Sequence, residues 1–161
     1  MPSSLQGEES LSSFDIRILD QIQRDATLST TELAEKVGLS QSPCWRRLQR
    51  LRDEGYIKSQ VAILDRKKFG ASLVIFATLK MSALSDEKRA DFMRKVEITP
   101  EIMECYTIFG ERDIMMKIIA KSMEWYQQFI FKVILKLPGV ADVQSTVTLA
   151  DLKESTAIPI R

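Results

Sequence analysis

At Gly55 the chain changes its hydrophobic period, and that change limits the folds open to it. Before Gly55, apolar residues recur at helical spacing: Phe14, Ile18 and Ile22, then Leu33, Ala34 and Val37, then Cys44, Leu48 and Leu51. After it, the apolar runs SLVIFATLKM and DIMMKIIA are short and rich in branched side chains, as strands are. A chain of 161 residues has room for two small cores of this kind, one helical and one mixed.

Punctuation places the elements. Ser12-x-x-Asp15 and Ser29-x-x-Glu32 have capping-box spacing, in which a hydroxyl accepts from an orphan amide and the acid reaches back. With Gly38 as a stop and Ser40 as a third cap, residues 13–56 read as three short helices, the last leaving at Gly55. Residues 1–12 are polar and predict a flexible arm. Residues 57–71 predict an extended hinge strand and a connecting turn, Asp65 to Gly70. From position 72 the order is strand 72–81, helix 85–97, strand 102–109, strand 113–120, helix 122–136 and strand 140–150. That βαββαβ order is the ferredoxin-like arrangement, assigned here to residues 72–161.

The composition removes several chemistries. The chain has no histidine, two distant cysteines and only singly scattered glycines. The usual triads, most zinc sites and phosphate-cradling loops are therefore missing, so neither enzyme nor metal nor cofactor is expected. No apolar run reaches the roughly 18 residues that span a bilayer. A reducing cytosol is the expected compartment.

The third helix carries the most informative charge. Arg46, Arg47, Arg50 and Arg52 fall within seven residues of a chain whose net charge is +1. On a helical wheel Cys44, Leu48 and Leu51 face inward, while Ser42, Arg46, Gln49, Arg50 and Asp53 lie opposite, with Trp45 and Arg47 on the flanks. Short helix, Gly38 turn and arginine helix have helix-turn-helix spacing, whose second helix enters the major groove of DNA. The candidate DNA-binding residues are Ser40, Gln41, Ser42, Trp45, Arg46, Arg47, Gln49 and Arg50. Their side chains suit phosphates and base edges.

With these motifs in order, the sequence resembles the Lrp/AsnC (leucine-responsive, feast/famine) transcriptional regulators. The likeness runs from FDIRILDQIQRDATLSTTELAEKVGLSQSPCWRRLQRLRDEGYI through FGERDIMMKI and LPGV to LKESTAIPI. It implies an α+β protein: a helix-turn-helix (winged-helix-like) domain joined by a hinge strand to a ferredoxin-like βαββαβ domain. It also implies a homodimer built sheet on sheet, assembly up to an octamer, and a small effector, commonly an amino acid. The resemblance places the effector region on Gly110, Glu111, Arg112 and Asp113, on the helix start at Met123, and on Ser145, Thr146 and Thr148. Asp113 is suited to an ammonium, and turn amides or the Ser145 and Thr146 hydroxyls to a carboxylate. Glu111 and Arg112 stand where many members carry other residues, which leaves the effector's identity open. The expected function is sequence-specific regulation of transcription in the bacterial cytosol, at the nucleoid, on double-stranded DNA. The alternative is a ligand-independent architectural protein that organises DNA.

Overall fold

The computed structural model describes residues 11–70 and 73–160. The arm expected at the N-terminus thus lies outside the described residues up to position 10. The chain divides into two units, one running to Ile63 and including the tail from Lys153, the other spanning Leu64–Leu152.

The first unit holds helices α1 (Ser13–Ile22), α2 (Thr30–Val37) and α3 (Gln41–Asp53). Both expected capping boxes form. The Ser12 hydroxyl accepts from the Asp15 amide at 3.2 Å while the Asp15 carboxylate accepts from the Ser12 amide at 3.0 Å. Ser29 and Glu32 repeat the arrangement. Gly38 ends α2 at φ +74°, and the Leu39 amide reaches back to the Ala34 carbonyl, closing the left-handed turn that aims α3. Ile18, Leu33, Val37, Cys44 and Leu51 are fully buried between the three helices.

The third cap behaves differently from expectation. Ser40 has the extended backbone of an N-cap, yet its side chain makes no capping bond. The reason is local: the position that would donate, three residues on, is Pro43, which has no N–H.

The tail, placed with the second domain by the sequence-based division, packs in the helical unit. The Ile158 amide donates to the Gln23 side-chain carbonyl at 2.9 Å, and the Gln23 side-chain N–H₂ donates to the Ile158 carbonyl at 3.0 Å. A primary amide thus pairs with the tail as a neighbouring strand would, and Ile160 packs against the helical core. The hinge segment, 57–65, is almost entirely exposed and forms no ladder with another backbone among the described residues, so it is not a strand there. A 3₁₀ turn, Arg66–Phe69, follows it.

The second unit is an antiparallel sheet in the order β2-β3-β1-β4. Its strands are β1 (Leu73–Met81), β2 (Ile102–Thr107), β3 (Ile114–Ala120) and β4 (Val140–Val147); helices α4 (Asp86–Glu97) and α5 (Met123–Lys132) connect them. The second helix stops earlier than expected, at Lys132, and a 3₁₀ turn (Ile134–Lys136) brings Ile134 and Leu137 into the core. Alternation does the rest. Ile75, Ala77 and Leu79 of β1 and Ile114, Met116 and Ile118 of β3 meet Phe92 and Val96 of α4 and Tyr126 and Phe129 of α5. The intervening residues, Phe76 and Thr78 of β1 with Met115, Lys117 and Ile119 of β3, face away from the helices.

Candidate nucleic-acid interface and effector site

The forward face of α3 is assembled by its first two turns. Trp45 is 52% exposed, and Gln41, Ser42 and Arg46 are exposed beside it. With Thr30 at the start of α2 they line a depression of about 390 Å³. Arg46 has no hydrogen-bond or ion-pair partner among the described residues. Because Pro43 cannot engage Ser40, that hydroxyl and the first amides of α3 have no partner among the described residues, at a helix N-terminus where an anion is favoured.

Two of the expected DNA-binding arginines are ion-paired within the helical unit, with more than a third of each side chain still exposed. Arg47 donates to Asp15 at 3.1 Å and to the Ser12 hydroxyl at 3.1 Å; Arg50 pairs with Asp15 at 2.8 Å and lies 3.8 Å from Glu54. Asp15 is 1% exposed, the buried charged residue of this helical core. One carboxylate therefore closes the α1 capping box and anchors two arginines of α3. Burial opposes its ionisation, but the Ser12 hydroxyl and amide, joined by Arg47 and Arg50, outweigh that and hold the carboxyl below its usual range. The signal for this role was present in the sequence. Asp15 lies at helical spacing with Ile18, Leu19 and Ile22, so it is a charge on an apolar stripe. Arg52 donates to Gln60 at 3.3 Å.

The expected effector residues do not converge within one chain. Asp113 is engaged by β1: its carboxylate accepts from the Met81 amide at 2.7 Å and from Lys80 Nζ at 3.3 Å. The Met81 amide does most to keep that carboxyl below its usual range, over a smaller cost of burial, with Lys80 and Arg112 adding to it. Arg112 pairs with Asp142 and reaches Gln144 at 3.4 Å. The amides of Gly110, Glu111 and Arg112 donate to no protein group among the described residues, so the hairpin offers three free donors at one end of the sheet.

Ser145 and Thr146 are neighbours and so point to opposite faces. Ser145 turns to the helices, where its hydroxyl meets the phenol of buried Tyr126 at 2.7 Å. Thr146 opposes Phe76 on the open face, four residues from Lys80 along β1, which is roughly 13 Å. The Thr148 hydroxyl donates to the Val74 carbonyl at 3.0 Å. Met123 opens α5 and is 47% exposed. No group of three His, Cys, Asp or Glu residues placed to hold a metal occurs among the described residues, and no described helix is long and apolar enough to cross a membrane.

A helix-turn-helix unit followed by an open-faced βαββαβ unit defines a class of two-part regulator, one part for DNA and the other for a ligand. Residues 11–58 match the family model for winged helix-turn-helix DNA-binding, and residues 74–158 match that of the Lrp/AsnC ligand binding domain. The chain belongs to the Lrp/AsnC family of transcriptional regulators. It is 35% identical over 146 residues to the transcriptional regulator AzlB of Bacillus subtilis, covering 91% of this chain and 93% of that one. It is also 35% identical over 150 residues to the DNA-binding transcriptional activator DecR of Escherichia coli, covering 93% and 99%. Among solved structures, a transcriptional regulator of Neisseria meningitidis in complex with L-Met superimposes with a TM-score of 0.89 at 32% identity, covering 93% and 97%.

Proposed function

We propose that this protein regulates transcription by reading double-stranded DNA with the forward face of α3, under control of an amino-acid effector held by the βαββαβ unit. The observation that carries the reading is the exposed set Ser42, Trp45 and Arg46 lining one depression, with half-buried Gln49 a turn further along the same face of a helix whose first cap makes no side-chain bond. Arginine suits the guanine edge, glutamine the adenine edge, and an indole the thymine methyl. Ser40 and Gln41 sit where a helix N-terminus meets phosphate. The protein works in the bacterial cytosol, at the nucleoid.

The effector is an amino acid. Support comes from the ligand-binding family model and from the L-Met complex of the Neisseria relative. The free amides at Gly110, Glu111 and Arg112 suit its carboxylate. The protein acts as a homodimer or a higher assembly such as an octamer. The open sheet face, with Phe76, Met115 and Ile119 uncovered by helices, supplies the surface for a second copy.

Arg46→Ala tests the reading helix. One base-reading arginine contributes about 1–3 kcal/mol of discrimination, so affinity for a duplex selected by the wild-type protein should fall roughly five- to 150-fold. The loss should be smaller on a scrambled duplex. Equal affinity of Arg46→Ala and wild type for the selected duplex would remove α3 from the recognition role.

A further inference from the structure

Four arginines in seven residues would ordinarily make α3 a sequence-blind phosphate binder. The geometry commits most of that charge elsewhere. Arg47 and Arg50 turn onto Asp15, Arg52 turns onto Gln60, and Arg46 alone of the four has no protein partner among the described residues. The arginine side chains are 36% and 39% exposed, whereas that of Asp15 is 2% exposed. The carboxylate is also fixed by its own helix, through the Ser12 amide and hydroxyl. It is the immobile member of the cluster. The arginines come to it.

We propose that Asp15 is a specificity-determining positioning residue of the DNA-binding surface. It withholds Arg47 and Arg50 from phosphate and leaves α3 to read sequence through Ser42, Trp45, Arg46 and Gln49. The inference rests on α3 being the reading helix. The physical reason is that a phosphate contact gains the same affinity on every sequence, with about 0.9 added to the salt slope for each, and so cannot discriminate. Two guanidiniums free to swing toward the backbone would grip any duplex. Held by a buried carboxylate on α1, they instead fix the angle at which α3 leaves the bundle.

The test is Asp15→Asn in the full chain, which removes the charge but keeps an oxygen for the Ser12 amide. Binding is followed by fluorescence anisotropy over a salt series, on two duplexes. One is selected by the wild-type protein from a randomised library; the other is scrambled, with the same length and composition. Asp15→Asn should bind the scrambled duplex severalfold more tightly at low salt. The slope of log affinity against log salt should steepen by about 0.9 for each arginine released. Its preference for the selected duplex should narrow. An unchanged slope in a variant whose circular dichroism matches wild type would show that Asp15 supports the fold alone, and would overturn the proposal.

Arg47→Gln and Arg50→Gln decide the matter independently, including in the case that Asp15→Asn fails to fold. Each should keep the wild-type salt slope on the scrambled duplex, since a withheld charge contributes none. A slope shallower by about 0.9 in either would mean that the arginine already contacts phosphate, which also overturns the proposal. The reading-helix assignment fails separately, when the wild-type protein selects no sequence from the library. An arbitrary duplex from that library then still reports, through its salt slope, whether Asp15 withholds charge.

Discussion

Replacing Asp15 with alanine should melt the helical unit well before the wild-type temperature, and the size of the effect follows from the local geometry. The substitution removes the acid of the α1 capping box, a loss of about 1 kcal/mol. It also removes two ion pairs, at 3.1 and 2.8 Å. A wholly buried pair broken on one side costs about 3–5 kcal/mol, but these guanidiniums are more than a third exposed and water takes over their solvation. Discounted for that screening, each pair contributes about 0.5–1 kcal/mol. The sum is about 2–3 kcal/mol. For a domain of this size that corresponds to a fall of roughly 10–20 °C in the midpoint of the helical unit's transition. Far-UV circular dichroism of the full chain measures it directly, and a shift of only a degree or two would refute the reasoning.

The same residue makes an acid-limb prediction. The folded Asp15 carboxyl lies below its usual range, against about 3.9 in the unfolded chain. A depressed folded value means that the unfolded state binds the proton first as pH falls. The increment is therefore fully present above pH of about 4 and lost as pH drops through the folded value. The stability gap between wild type and Asp15→Ala should close in that range. A gap that stays constant into strong acid would mean that the carboxylate's charge contributes nothing.

Two further predictions concern the second unit. Ile119→Lys places a charge on the open sheet face, near the end of β3 and opposite Val74, and should shift the protein toward monomer in sedimentation velocity, with the far-UV spectrum unchanged; a dimer as tight as wild type would place the interface elsewhere. Asp113→Asn keeps an oxygen for the Met81 amide and should retain the thermal shift given by the amino acid that stabilises wild type in a screen of the twenty, whereas Asp113→Ala should lose that shift together with hairpin stability. Loss of ligand binding in a stably folded Asp113→Asn would instead make the carboxylate the partner of the ligand's ammonium.

The backbone plan was legible because periodicity and punctuation are local. The two capping boxes, the Gly38 turn and the βαββαβ order all stand where spacing predicted them. What spacing did not convey was which partner each polar group takes. Ser40 has the residue type of a cap, but Pro43 deprives it of a donor, a fact written in the same tetrapeptide. Ser145 and Thr146 looked like a pair of hydroxyls, and the pleat separates them onto opposite faces.

The arginine helix shows the limit most clearly. The sequence counts charges, whereas the fold decides which of them take a protein partner. A wheel drawn for α3 alone sets Arg46 and Arg50 on one polar face, because it has no second helix to supply an acid. Packing α1 against α3 brings in Asp15, which lies on α1's buried stripe and so cannot turn to solvent. A buried carboxylate requires compensation, and Arg47 and Arg50 are the cations that supply it. The polar face of α3 is thus divided by a residue more than thirty positions away, and Arg46 is the arginine left with no protein partner among the described residues.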